Sequence, residues 1–355
     1  MRILLVPSRK KSKSVYLRIL VDSLLRFRMA VYEYAISGLL SVFPRVNIIH
    51  LQWPDIILGL NRYYDDLRGV INKLVRFIYW FVLLLVGRVF GKKIIMTHHN
   101  AVPHKPSVSE LDMKLLRKFL GLADKIIVLN NYTRSMVCRQ YEELCDKIYV
   151  VKHPRLDYYY GSQIDRRTAR RILGINNDTL VILSVGTFHY YKNPELFIKI
   201  AETICRKHDN VLFLIVGRQP KEFVWKLLQA VPRRCLRLIN KYVPDEEIPL
   251  YISASDLALM THKYMWASAT LVLYQSYYLP VLVPKRPQFI EELGFYDGDY
   301  FYESFDDIIV KLDKLARDRK FLEVFTSKYR AKSKAVLKER EPRIVALKHL
   351  MLYLY

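Results

Sequence analysis

Short apolar runs rich in Ile and Val recur along the chain, each followed by a longer stretch whose apolar residues fall three and four apart. RILLV (2–6), NIIHL (47–51), KIIMT (93–97), KIIVL (125–129) and KIYVV (147–151) predict strands. VYLRILVDSLLRF (15–27), the apolar stretch around Phe77 and YTRSMVCRQY (132–141) predict helices between them. Near-continuous apolar strands separated by helices imply a parallel sheet covered on both faces, hence one Rossmann-like α/β unit. A polar segment without strand character (153–178) then marks a boundary. A second alternating series opens at LVILSVG (180–186) and runs through VLFLIVG (211–217) to PVLVP (280–284). The chain closes on helical sequence from 305 to 355, broken near Glu341-Pro342. The expected domains are 1–157, 158–338 and a terminal helix, 339–355.

The most apolar stretch lies between Lys73 and Arg88. Its uncharged part, 77–87, spans about 16 Å as a helix, against about 30 Å for a bilayer core. It therefore reads as a buried helix of the first unit rather than a membrane crossing, with a monotopic membrane face as the second choice. The opening MRILLVPSRKK reads as a strand and not as a signal peptide.

Charge changes the picture. The 57 Lys and Arg against 34 Asp and Glu leave +23, which calls for an anionic partner: a nucleotide diphosphate with a lipid-phosphate acceptor, a membrane face, or nucleic acid. No RRM-like aromatic signature, zinc spacing or helix-turn-helix supports the last. Cys138, Cys145, Cys205 and Cys235 show neither CxxC nor zinc-like spacing and read as reduced, mostly buried thiols of a cytoplasmic protein.

Several segments resemble the GT-B glycosyltransferases of group 1, or family 4. IIHLQWPD (48–55) resembles a family strand ending in a His, Trp and Pro turn, and GKKIIMTHHNAVPHK (91–105) the strand and loop with Thr-x-His-Asn and then Pro-His. LSVGTFHYYKNPELFIKIA (183–201) is similar to the opening of the second domain, and YVPDEEIPLYISASDLALM (242–260), followed by LPVLVP (279–284), is the nearest match. The resemblance implies two Rossmann-like domains across a cleft, with the C-terminal helix returning to the first. It implies hexose transfer from a UDP- or GDP-linked sugar to a glycan, lipid-linked or protein-linked acceptor, without a required metal or other cofactor. The family's two donor-sugar glutamates fall on Met265 and Leu273, its Arg on Thr187 and its Gly on Asn193. Contacts to the donor sugar therefore differ here, and a catalytically inactive GT-B binding protein is an alternative reading, beside a basic nucleic-acid-binding protein.

Glycosyl transfer needs a neutralised diphosphate, a held sugar and a base for the acceptor hydroxyl. Lys192, in the loop after the 180–186 strand that ends in Gly186, is the phosphate candidate, against the plain reading of a solvated loop lysine. Arg218 is a supporting cation, or a surface ion pair. Ser268, Ala269 and Thr270 open a helix whose N–H groups and dipole suit an anion, while Ser268 alone suits an N-cap. The resemblance places the nucleobase at Tyr242 and Val243. His99 follows a strand and is the candidate for the acceptor proton or for donor binding, with His98 on the opposite side of the extended chain. Asn100 and His104 are candidates for orienting the acceptor, and Asp22 and Glu110 are fallback bases. The basic run 9–13 suits a lipid phosphate or headgroups as well as it suits an exposed loop. Asp297-Gly298-Asp299 resembles a metal-binding DxD but reads as turn chemistry. The expected location is cytoplasmic, with peripheral contact at the inner face of the membrane.

Overall fold

The Ile- and Val-rich runs fold as parallel strands buried on both faces, in a computed structural model that describes residues 1–8, 12, 14–33, 43–60, 66–101 and 108–355. The chain divides into two units, Met1–Pro154 with Arg340–Tyr355, and Arg155–Glu339. The boundaries expected after 157 and 338 fall after 154 and 339.

The first unit holds strands β1 (Arg2–Val6), β2 (Ala30–Glu33), β3 (Ile48–Gln52), β4 (Lys93–Thr97), β5 (Lys125–Val128) and β6 (Ile148–Val150). They form one sheet in the order β2-β1-β3-β4-β5-β6, every pair parallel. The edge strand β2 is not legible as a strand in the sequence: it is four residues long, half-exposed, and lacks an apolar run. Because the chain steps from β1 to one side and then to the other, the order reverses between β1 and β3. The ends of those strands are where an open α/β sheet binds ligands.

The second unit repeats the plan with β7 (Leu180–Val185), β8 (Val211–Val216), β9 (Leu236–Ile239), β10 (Leu257–Leu259), β11 (Val281–Pro284) and the two-residue β12 (Phe301–Tyr302). The order is β12-β11-β10-β7-β8-β9, so its reversal lies between β10 and β7. The core strands β7 and β8 pair over their whole length, from Leu180–Val211 to Val185–Val216. Helix starts are set by side-chain caps: Ser14, Asp66, Ser109, Asn130, Asp165, Ser268 and Ser304 each accept a backbone N–H of the first turn. The terminal helix Pro342–Leu354 belongs to the first unit, where His349 meets Tyr16 and Tyr353 meets His50.

Two expectations are corrected. The cysteines are not reduced thiols: Cys138 is bonded to Cys145 and Cys205 to Cys235. The second pair forms because the last turn of helix Pro194–Lys207 brings Cys205 beside the residue that leads into β9, with Cα atoms 5.9 Å apart. The apolar stretch around Phe77 is not a short buried helix either. It extends over Leu67–Val89, 23 residues, and buries only Lys73, Trp80, Leu83, Leu84 and Gly87. Counting its uncharged part alone shortened it: Lys and Arg are good helix formers, and Lys73 is kept inside by Asp112 at 3.0 Å. The helix is long and apolar enough to cross a membrane.

Candidate functional site

In the second unit the loops after β7, β8 and β10 meet at the C-terminal edge of the sheet. Gly186 and Gly217 close β7 and β8 with φ of 91° and 127°, and a Cβ on Gly217 would come within 3.2 Å of the Gly186 Cα. Two bare backbones thus lie against each other at the ends of β7 and β8, one strand over from the reversal between β10 and β7. Gln219 fixes them: its Nε2 donates to the carbonyls of Gly186 (3.0 Å) and Gly217 (2.9 Å), and its Oε1 accepts from Phe188 N–H (2.9 Å). Tyr274, on helix Ala269–Ser276, accepts from the N–H of Val185 at 2.7 Å and anchors the end of β7.

Lys192 occupies the middle of this edge. A Cβ on Gly186 would sit 3.3 Å from its Nζ, so the ammonium packs directly against the bare glycine, whose φ of 91° favours glycine in any case. Lys192 is 9% exposed and makes no ion pair among the described residues. Burial alone lowers its pKa from 10.5 to about 8. Its backbone is held by Thr261, whose Oγ1 donates to the Lys192 carbonyl at 2.6 Å, and Lys263 N–H donates to the Tyr191 carbonyl at 2.7 Å. The loop after β10 therefore clasps the loop after β7. His262, beside it, is buried with Nδ1 lacking a partner; burial first, and then the Lys192 charge, push its pKa down to about 3. A buried cation unpaired among the described residues, next to a neutral imidazole, is an arrangement that an anion completes.

The other candidates divide. Ser268 caps its helix, accepting from Leu271 N–H at 3.1 Å, with Ala269 exposed and Thr270 half-buried. Arg218 is exposed; its carbonyl accepts from Thr187 Oγ1 at 2.9 Å, and its guanidinium joins no ion pair among the described residues. Tyr242 is 74% exposed and Val243 buried, in the loop after β9; Asn240 of that loop accepts from Gln219 N–H at 2.7 Å. Met265 and Leu273 are buried apolar side chains, so no carboxylate reaches the edge from those positions. Asp297 and Asp299 form ion pairs with Lys328 at 2.9 and 3.1 Å, and Asp297 accepts from Asp299 N–H, which is turn chemistry. Gln219 and His262 were missed by sequence reasoning. Their signal was position alone, two residues past a glycine that ends one strand and three past the end of another.

In the first unit His99 follows β4 and is buried, its ring stacked on Trp53 (4.3 Å, 15°) and edge-on to Tyr16. Trp53 itself takes a left-handed conformation, φ 53°. Gln52 Nε2 donates to His50 Nε2 (3.1 Å), and Gln52 Oε1 accepts from His99 Nε2 (2.9 Å). His99 thus carries its proton on Nε2. Below it His349 donates through Nδ1 to the Val345 carbonyl and accepts at Nε2 from Tyr16 OH, while His50 also meets Tyr353 OH and Thr97 Oγ1, both at 2.7 Å. Burial holds all these imidazoles neutral: His98, His153 and His349 fall to about 4, and His50 and His99 lie well below 6.5, with neighbouring imidazoles adding to the effect in the last two. His98 is fully buried, and a backbone contact at Ala101 works against the burial that lowers its pKa.

Asp55, unassigned by sequence, is 1% exposed, has Oδ1 unpartnered, and is pushed up to about 6 by burial, against backbone N–H bonds and a contact to Asn100 that lower it. Glu110 is exposed and paired with Lys114, and Asp22 is exposed. Neither resembles a poised base. His104 and the cations of the 9–13 run lie outside the described residues. Among the described residues no cluster of His, Cys, Asp or Glu is placed to hold a metal ion.

Residues 165–332, most of the second unit, match the family described as glycosyl transferases group 1. No curated protein matches the chain. Solved structures do. HepE from Anabaena in complex with UDP shares 13% identity over 99% of both chains at a TM-score of 0.71. Sucrose-phosphate synthase from Thermosynechococcus elongatus shares 13% over 99% of this chain and 98% of its own, at 0.72. TarM from S. aureus, solved in complex with fondaparinux, alpha-GlcNAc-glycerol and UDP, shares 14% over 87% of this chain and 55% of its own, at 0.61. The fold is that of the GT-B glycosyltransferases.

Proposed function

We propose that this chain, a GT-B protein whose second unit is a group 1 glycosyltransferase domain, transfers a hexose from a uridine diphosphate sugar to a glycan or lipid-linked hydroxyl. The observation that carries the reading is Lys192, a buried cation with no counter-ion among the described residues, at the strand-order reversal of the matched domain. A diphosphate there supplies the missing anion. As the bond from the sugar carbon to the β-phosphate oxygen breaks, negative charge grows on that oxygen, and a desolvated ammonium stabilises it more than a hydrated one does. The N–H groups opening helix Ala269–Ser276 add a dipole of the same sign, and this supports transfer that needs no metal. Tyr242, whose ring is exposed, is assigned to the base, and Arg218 to the outer phosphate side. UDP is preferred to GDP because the HepE and TarM complexes contain it.

In the first unit His99, neutral and oriented by Gln52 and Trp53, is assigned to positioning the acceptor hydroxyl through its unprotonated Nδ1. Calorimetric titration with UDP, GDP, UDP-glucose and UDP-N-acetylglucosamine, with and without EDTA, tests the donor assignment. Micromolar uridine binding that survives EDTA and is lost in Lys192→Ala supports it; absence of binding at millimolar nucleotide overturns it. The buried Met265 and Leu273 favour one second reading, a GT-B protein that binds donor without turning it over. It is distinguished by uridine binding without UDP release in the presence of any acceptor.

A further inference from the structure

The outer face of helix Leu67–Val89 is apolar from end to end. Leu67, Ile71, Val75, Ile78, Val82, Val86 and Val89 recur at steps of three and four residues, and each is between 41% and 84% exposed. Leu74, Tyr79, Leu85 and Phe90 widen the stripe. Helix Glu110–Gly121 of the same unit shows what an ordinary outer face looks like: Glu110, Lys114, Arg117 and Lys118. A continuous apolar stripe three turns or more in length is not a scatter of single exposed side chains.

Charge says what meets it. From Leu67 to Lys93 the chain carries Arg68, Lys73, Arg76, Arg88, Lys92 and Lys93 and no Asp or Glu. Arg68 stands exposed at the start of the helix and Arg88, whose guanidinium pairs with Asp124 at 2.9 Å, at its end, with the uncharged 77–87 segment between them. Basic side chains flanking an apolar face suit an anionic lipid surface, where the apolar side chains enter the acyl boundary and a cation such as Arg68 stays with the phosphates.

The helix is about 34 Å long at 1.5 Å per residue, enough to span a bilayer, yet it is not free to do so. It is the crossover between β3 and β4, which pair directly from Ile48–Lys93 to Gln52–Thr97. Its inner stripe holds the Lys73–Asp112 ion pair at 3.0 Å. Moving it into hydrocarbon would break the sheet and strand that pair.

We propose that helix Leu67–Val89 docks in the plane of an anionic lipid bilayer, seating the first unit on the membrane surface. The full chain is to be spun with vesicles of phosphatidylcholine containing 30% phosphatidylglycerol, and with phosphatidylcholine alone. Sedimentation with the anionic vesicles, at least tenfold weaker on the neutral ones and reduced at least tenfold in Val75→Glu/Ile78→Glu/Val82→Glu, is the expected result. All three positions are exposed, so the variant keeps its fold; an unchanged thermal melt and an unchanged UDP response verify this independently of lipid. A parent chain that stays in the supernatant at low salt overturns the proposal, as does a variant that sediments like the parent. A dimer in solution that the variant dissociates, without vesicle binding, assigns the face to a second copy instead.

Discussion

Replacing Lys192 by Met keeps the length of the side chain and removes its charge. Depression of the Lys192 pKa from 10.5 to about 8 by burial corresponds to about 3 kcal/mol spent on holding the ammonium in the unliganded protein at neutral pH. The sign follows from proton uptake. Between pH 8 and 10.5 the unfolded chain holds the proton and the native lysine has lost it, so native stability rises with pH across that window. The cost is therefore full below pH 8 and gone near 10.5. Lys192→Met is expected to be more stable than the parent at pH 7, by up to about 3 kcal/mol or roughly 6–12 °C for a unit of this size, and to lie within about 1 kcal/mol of it at pH 10.

Binding moves the other way. A charge-assisted contact of about 1.5–3 kcal/mol is lost, so UDP affinity falls roughly 10- to 150-fold. Scanning fluorimetry at pH 7 and pH 10, with and without UDP, reads both effects in one experiment. A structural lysine gives the opposite pattern: a variant less stable at both pH values, with its UDP response intact. Either that pattern or a stability gain that does not shrink by pH 10 refutes the argument.

Other consequences are equally direct. Asp55→Asn should stabilise the protein by about 1–3 kcal/mol at pH 8 and by less than about 1 kcal/mol at pH 4: raising the carboxyl from 3.8 to about 6 costs stability progressively as pH climbs between those values, and in full above them, and melts at the two pH values check it. The neutral histidines act in the reverse direction. His98, His153 and His349, lowered to about 4, lose stability as pH falls from 6.5 to 4, at up to about 4 kcal/mol per pH unit together; circular dichroism should show cooperative loss of structure near pH 5, and a flat profile to pH 4.5 would contradict it. Gly217→Ala, at φ 127° and 3.2 Å from a backbone atom, should cost about 1–3 kcal/mol, whereas Gly298→Ala, with nothing within 4 Å, should be neutral in the same melts.

What was legible in the sequence is what period and composition control. The strands at 2–6 and 93–97 match β1 and β4 residue for residue, because a strand buried on both faces must be apolar throughout. The weak edge strands β2 and β12 escaped because four half-exposed residues and two buried ones carry no period. The break at Glu341-Pro342 was visible, since proline cannot continue a helix, while the break at Asp318 was not, since an aspartate that caps Phe321 N–H looks like any polar residue of a helix face. Lys192 could be named from the motif around it, but its burial, and hence its lowered pKa, depends on Gly186 and the 261–263 loop, far apart in the chain. The apolar helix was named and misplaced. A sequence records that a residue is apolar but not which side of a helix its neighbours cover, so the identical run serves a core and a surface.

The electrostatics of the two sheet ends divide the proposed work. At the reversal in the second unit the central side chain is a cation with no anionic partner among the described residues, with His262 held neutral beside it by burial and by that charge. At the corresponding end of the first unit the side chains are imidazoles, phenols and amides in mutual hydrogen bonds; among the described residues the charged groups beside them are Asp55, which titrates at about 6, and Arg340, which donates to the His153 carbonyl at 3.1 Å. A neutral network of that kind offers little to a diphosphate, whose charge it cannot balance, and suits a sugar or glycerol hydroxyl, which needs directed donors and acceptors. The proposed placement of the nucleotide on the second unit and of the hydroxyl on the first is therefore supported by charge as well as by resemblance. Because the imidazole network is anchored by His349 and Tyr353 of the terminal helix, loss of that helix should disturb His50, Gln52 and His99 in turn, while Lys192 and its loops keep every contact they have.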